Sequence, residues 1–282
     1  MTTAPAITTG TLDVPGARLY YEVRGSGPLV ALVAAPMDAR SFAPLADLLA
    51  TDHTVLTTDP RGISRSEVDD RHRDSTPEDR AGDVARLIEH LGAGAAAVLG
   101  SSGGAVTALA LAASRPELVA AVVAHEPPLH ELLPDREELF RRTDEMIATY
   151  LAGDVLGAWR AFLDVADIHL PDEAFEAVFG GPREGRAAED ERFGFEHMLR
   201  ATTRWRPDPE RLTRVPTRVV VGIGDASAGQ LCDRASRALA AALDTEPVMF
   251  PGGHTGFADD PVGFAGRLRT VIADAVPTFY QA

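Results

Sequence analysis

The segment Gly100-Ser101-Ser102-Gly103-Gly104 stands between an apolar run, Ala95 to Leu99, and a stretch of small residues, Ala105 to Ala113. A chain can turn that sharply from strand to helix only where the residues flanking the apex carry no bulk, because the two elements nearly touch there. Gly100 and Gly104 meet this demand with Ser102 at the apex. With Ser101 at the apex, Leu99 would occupy the crowded position and clash. The register therefore selects Ser102. The motif has the form G-x-S-x-G, in which the serine is a nucleophile, and the helix N-terminus behind it aims amide donors at a developing oxyanion. The amide of Gly103 is the expected donor. A glycine- and serine-rich turn can also cradle phosphate, but this one lacks the Walker lysine and the G-x-G-x-x-G spacing.

The pattern around this turn predicts an α/β fold. Strands are expected over Leu12 to Val14, Arg18 to Val23, Leu29 to Val33 and Val55 to Thr58, with a helix over Phe42 to Ala50. This opening reads as an edge hairpin feeding parallel strands. Pro77 starts a helix whose apolar positions Val84, Leu87, Ile88 and Leu91 keep helical spacing up to Gly92. Ala95 to Leu99 and Leu118 to Ala124 are apolar without alternation, as strands of a parallel sheet covered on both faces should be. After Pro127 and Pro128 the chain becomes acidic and helix-rich until about Arg214, broken by Gly180-Gly181-Pro182. Strand Thr217 to Gly222, a helix near Gln230 to Leu243, strand Val248 to Phe250 and a last helix from about Pro261 complete the alternation. The expected architecture is a mostly parallel twisted sheet with helices on both faces. Its core domain spans 1–126 and 215–282, and 127–214 form an inserted helical cap.

With 282 residues, 45% of them hydrophobic, the chain can bury one large core. The N-terminal stretch has no basic residue and no apolar run long enough for a signal peptide or membrane span, which predicts a cytoplasmic protein. A net charge of -15 repels phosphate backbones and anionic lipid, so neither nucleic acid nor a membrane is an expected partner. The expected assembly is a monomer or homodimer. Cys232, the single cysteine, allows no internal disulfide and has no sequence neighbours at metal-ligand spacing. The chain has 27 basic residues, all arginine, so Schiff-base chemistry and a Ser-Lys dyad are excluded. No metal and no organic cofactor are implied.

A base for Ser102 must then be a histidine or a carboxylate. Of eight histidines, His254 alone follows a late strand in a glycine-rich loop, Pro251-Gly252-Gly253-His254, the last slot of the order Ser, acid, His. Two carboxylates end apolar strands on the same edge of the sheet. Asp225 follows Val219 to Gly222, and Glu126 follows Val122 to His125. Either can hold the His254 tautomer and stabilise its imidazolium.

Four segments together, Asp59-Pro60-Arg61-Gly62-Ile63-Ser64-Arg65-Ser66, Gly100 to Gly104, Ala124-His125-Glu126-Pro127-Pro128 and Pro251 to His254, resemble the α/β-hydrolase superfamily. The likeness covers nearly the whole chain outside 127–214. The Ser-Ser-Gly elbow and the His-Glu-Pro segment are similar to fungal zearalenone lactonases, in which a glutamate after the strand following the elbow is the acid. That resemblance implies Glu126 as the acid, with Asp225 the alternative. It also implies Ala35 as the second oxyanion amide beside Gly103. Many relatives carry glycine there, and this chain reads Val33-Ala34-Ala35-Pro36-Met37, with Met37 a candidate for the pocket wall.

Residues 127–214 hold 9 of the 17 aromatics, including Trp159 and Trp205. Rings over the catalytic edge favour a hydrophobic small-molecule ester or lactone, cleaved through an acyl-enzyme. Carboxylate-nucleophile chemistry, as in epoxide hydrolases, is disfavoured because a serine stands at the apex. Three alternatives use the same fold: an acyltransferase, a cofactor-free oxygenase or haloperoxidase, and a non-catalytic ligand receptor.

Overall fold

The apolar runs without alternation become neighbouring parallel strands in the computed structural model, which describes residues 6–276. The ends of the predicted core domain, 1–5 and 277–282, lie outside the described residues. The strands are β1 (Ile7–Val14), β2 (Ala17–Arg24), β3 (Leu29–Val33), β4 (Thr54–Thr58), β5 (Glu67–Val68), β6 (Ala96–Ser101), β7 (Val119–His125), β8 (Arg218–Gly224) and β9 (Val248–Phe250). They form one sheet in the order β1-β2-β4-β3-β6-β7-β8-β9, with β5 beside β2. β1 and β2 are the predicted hairpin, turning through Pro15 and Gly16, whose φ of 76° suits glycine. β2 is antiparallel to β4. From β4 to β9 every neighbouring pair is parallel.

The helices are α1 (Ala43–Leu49), α2 (Pro77–Leu91), α3 (Gly103–Ser114), α4 (Arg136–Leu151), α5 (Val155–Ala166), α6 (Asp172–Phe179), α7 (Gly185–Phe193), α8 (Leu199–Thr203), α9 (Pro209–Arg214), α10 (Leu231–Ala242), α11 (Gly256–Asp259) and α12 (Pro261–Ala275). α2 shows why the sequence signals succeed. Thr76 caps it by accepting from the Asp79 N–H, Pro77 supplies a preset φ, and Gly92 ends it at φ 62°.

Alternate residues of each central strand face opposite sides, so the sheet carries two cores. Ala31 and Val33 of β3 pack with Val98 and Val122 against α2, α3 and α10. Val30 and Leu32 pack with Leu99 and Val123 against α1, α11 and α12, where Phe42, Phe250, Phe257 and Phe264 fill the space. The unalternating pattern of these strands follows, since both faces are dry. Two elements gave no usable sequence signal: β5 is two residues long, and α11 is a single turn.

Between β7 and β8 the chain runs through α4 to α9, with a π-helical segment Gly194–Met198 joining α7 to α8. Several hydrogen bonds tie this insertion to the rest, among them four that reach its successive helices. Ser75 N–H donates to His197 O (2.9 Å), and the buried Arg80 donates to Thr202 Oγ1 (2.8 Å). Ser64 N–H donates to Asp190 Oδ2 (2.8 Å), and Arg234 to Asp135 Oδ1 (2.6 Å). Among the described residues no helix is long and apolar enough to cross a membrane.

Candidate active site

β6 delivers the chain into the turn and α3 carries it away, leaving Ser102 at φ 55°, ψ -126°, a conformation few non-glycine residues adopt. The Ser102 N–H donates to His125 O (3.0 Å). The glycines around it are sterically required. A Cβ on Gly100 would overlap the Gly104 carbonyl and lie 2.7 Å from Ala105 Cα. One on Gly104 would overlap the Val33 carbonyl and lie 2.7 Å from Ala34 Cα, so this glycine admits β3 rather than β6. Ser101 is fully buried, with its hydroxyl 3.2 Å from His125 Nδ1, whereas Ser102 lines a cavity. His125 itself is sealed among Phe250 and Phe264. Burial pushes its pKa down to about 4, which keeps it neutral.

β7 ends at His125, and the next residue, Glu126, is fully buried at φ 52°. Its N–H donates to Gly222 O (3.0 Å). Its Oε1 accepts from Gly224 N–H (2.8 Å), and its Oε2 lies 2.6 Å from His254 Nδ1. Burial alone would raise this carboxyl, but the hydrogen bond and charge of His254 outweigh it and hold the group below the ordinary glutamate value. For His254, burial opposes the charged ring. The Cys232 sulfur and the Glu126 carboxylate override that and push it up to about 10.

Asp225 does not meet His254 through a hydrogen bond. Its Oδ1 accepts from Gly252 N–H (2.9 Å), and its own N–H donates to Phe250 O (2.9 Å), so it clamps the loop that carries His254. The two carboxylates that looked equivalent along the sequence differ because β7 lies between β6 and β8, which puts Glu126 beneath the His254 loop.

Ala35, 3% exposed, comes against the elbow from the loop after β3: a Cβ on Gly103 would sit 2.6 Å from Ala35 O. Asp59, fully buried at the end of β4, fastens that loop by accepting from Ala39 N–H (2.9 Å) while Arg65 Nε donates to its other oxygen (2.7 Å). This is the work done by the Asp59 to Ser66 segment.

Ala35, Met37, Ser102, Gly103, Trp159 and His254 all line one cavity of about 430 Å³, within the range of small-molecule sites. Its other walls are largely apolar side chains of the insertion and of α10. Ser102 Oγ makes no hydrogen bond among the described residues, so Ser102 and His254 share the cavity wall without the bond that joins His254 to Glu126. Trp159 belongs both to the wall and to the insertion's own core. It stacks on Phe179 (centroids 4.6 Å apart) and donates from Nε1 to Glu191 Oε2 (2.8 Å). Trp205 is not part of the wall. Its indole N–H donates to Glu78 Oε1 (2.7 Å) at the start of α2, because the chain has by then left α8, whose Leu199, Thr202 and Thr203 line the cavity.

Two features had no readable signal. Glu191 gathers Tyr150, Trp159 and Arg183 around one carboxylate at the cavity, four positions scattered over α4, α5 and α7 with their connections. Cys232, at the start of α10, has donor-atom neighbours in His254 and Glu126, all within 4.8 Å of one another. No spacing along the chain reveals that group.

A strained serine at a strand-to-helix turn, on the carboxyl edge of a mostly parallel sheet with a histidine and a buried carboxylate beside it, defines a class of hydrolytic α/β proteins. Residues 27–182 match the family model described as the alpha/beta hydrolase fold, and the chain belongs to that family. An uncharacterised hydrolase of Bacillus subtilis, YraK, is 33% identical over 268 residues, 94% of this chain and 96% of the relative. A zearalenone hydrolase of Cladophialophora bantiana is 35% identical over 121 residues, 42% of this chain and 46% of that protein. Among solved structures, an esterase from Exiguobacterium antarcticum superposes with a TM-score of 0.70 at 17% identity, covering 92% of this chain and 97% of the other, a likeness of fold.

Proposed function

We propose that this hydrolase cleaves a carboxylic ester or lactone of an apolar small molecule through an acyl-enzyme on Ser102. The observation that carries the reading is the 2.6 Å contact between His254 Nδ1 and the buried Glu126, on the wall of the cavity that Ser102 faces. Glu126 is the acid in this reading. It fixes the tautomer that leaves Nε2 free as a base and stabilises the imidazolium that forms. In this reading the Ser102 Oγ to His254 Nε2 hydrogen bond forms as substrate fills the cavity, as catalytic hydrogen bonds often tighten only around substrate.

His254 Nε2 takes the Ser102 proton while Oγ bonds to the carbonyl carbon, and the amides of Gly103 and Ala35 receive the oxyanion. The C–O bond to the leaving alcohol breaks as His254 returns the proton to it. In a lactone that alcohol remains tethered to the acyl group. Water, deprotonated by the same nitrogen, then attacks the acyl carbon, and the acid leaves with Ser102 restored. The apolar walls around Met37 and Trp159 favour a hydrophobic acyl or alcohol part.

The test is hydrolysis of p-nitrophenyl esters and aromatic lactones by the wild type beside Ser102→Ala. Rapid release of acid by the wild type and none above background by Ser102→Ala is the expected result; equal rates would sink the proposal.

A further inference from the structure

The thiol of Cys232 makes and breaks no bond in the proposed ester hydrolysis, yet it stands within reach of both partners of that chemistry. Its Sγ, a ring nitrogen of His254 and a carboxylate oxygen of Glu126 all lie within 4.8 Å of one another, and Glu126 is fully buried. Cys232 is half-buried at the start of α10, and both it and His254 line the cavity.

One sulfur, one imidazole nitrogen and one carboxylate oxygen are the donor types that zinc takes, and three protein ligands with a fourth position open to a cavity is the pattern of an accessible zinc site. The geometry is close. Tetrahedral zinc with ordinary bond lengths holds its nitrogen and oxygen ligands about 3.3 Å apart and its sulfur and nitrogen about 3.6 Å apart. From a Glu126–His254 separation of 2.6 Å and a group no wider than 4.8 Å, side-chain shifts on the order of 1 Å reach that arrangement.

We propose that Glu126, Cys232 and His254 form an inhibitory binding site for a zinc-like divalent cation, which silences the hydrolase by taking the catalytic base as a ligand. Binding releases the thiol proton to solvent and takes one ring lone pair: a metal on Nδ1 leaves the single ring proton on Nε2, with any second ring proton also released to solvent, and a metal on Nε2 occupies the basic lone pair itself. In either case His254 no longer relays a proton between Ser102 and the leaving group. No electron transfer is involved, and removal of the metal by a chelator restores the site. The inhibition, though not the binding, rests on the proposed serine-hydrolase reading.

The experiment uses the full chain, stripped with a chelator. Cobalt(II) reports binding by a thiolate-to-metal charge-transfer band, and zinc chloride is titrated against p-nitrophenyl ester hydrolysis. Each variant is referred to its own metal-free rate. The expected result is one cobalt equivalent with the thiolate band in the wild type and in Ser102→Ala, and no band in Cys232→Ser or Cys232→Ala. The zinc concentration for half-inhibition should rise on the order of tenfold or more in Cys232→Ser. Circular dichroism melts of both cysteine variants confirm that they are folded. A wild type without the thiolate band, or equal zinc sensitivity in wild type and folded Cys232→Ser, overturns the proposal. A thiolate band in a protein that hydrolyses no ester supports the metal site and removes the hydrolase reading instead.

Discussion

At the scale of single residues, the proposed chemistry concentrates in three side chains of unequal weight. Ser102→Ala removes the atom that forms the acyl bond, and kcat/KM should fall by a factor on the order of 10⁴ or more. Glu126→Gln keeps the shape but loses the charge that stabilises the imidazolium, with an expected loss on the order of 10²- to 10⁴-fold. Asp225→Asn should cost much less, since an amide oxygen can still accept from Gly252 N–H where Asp225 now does. Steady-state kinetics on one ester ranks the three; a larger loss for Asp225→Asn than for Glu126→Gln contradicts the assignment of the acid. The pH profile follows from the same group. His254 acts as a base only when neutral, and Cys232 and Glu126 raise its pKa by favouring the charged ring, so activity should climb with pH through an acid limb above the ordinary value of about 6.5. In Glu126→Gln one of those stabilising groups is gone, and the limb should move to lower pH.

At the scale of elements, the elbow exists because β6, α3 and β3 approach more closely than any side chain permits. Gly104→Ala forces its methyl into the Val33 carbonyl of a central strand, which cannot yield without disturbing the sheet. A loss of about 3 kcal/mol or more is expected, seen as a lowered melting temperature or insoluble protein. Within the insertion, Trp159 links α5 to Phe179 of α6 and Phe195 of the π-helical segment, and its N–H satisfies Glu191. Trp159→Ala opens the wall and the insertion's core together. About 3 kcal/mol of stability should disappear, with a rise in KM for bulky apolar esters.

At the scale of the whole molecule, the insertion is bound to the loops and helices around the sheet by bonds that include those from Ser64, Ser75, Arg80 and Arg234, spread over most of its length. The cavity needs both parts, since Ser102 and His254 come from the sheet edge and Trp159 from the insertion. Unfolding is therefore expected to be one cooperative transition. Both tryptophans, Trp159 and Trp205, lie in the insertion, so their fluorescence reports the insertion and, through Trp205, its contact with Glu78 of α2, while far-ultraviolet circular dichroism reports every helix. Coincident denaturation curves support cooperativity; a fluorescence transition that precedes the dichroism would show the insertion opening by itself.

The amino-acid order alone determined the features that depend on neighbours along the chain. The apex at Ser102 follows from glycines two residues to either side, α2 from Thr76, Pro77 and Gly92, and the parallel sheet from apolar runs that never alternate. Short elements escaped, because β5 and α11 hold too few residues to show a period. What only the tertiary structure decided depends on strand order and on side chains that meet across it. Glu126 and Asp225 end apolar strands alike, and the fold brings the first beneath His254 while the second ties down Gly252. Trp205 shares composition with Trp159 but crosses to Glu78. Cys232, isolated in sequence, reaches His254 and Glu126 because α10 begins at the edge where β7 and β9 deliver them. Distances along a chain do not encode that convergence; the order in which strands pair does.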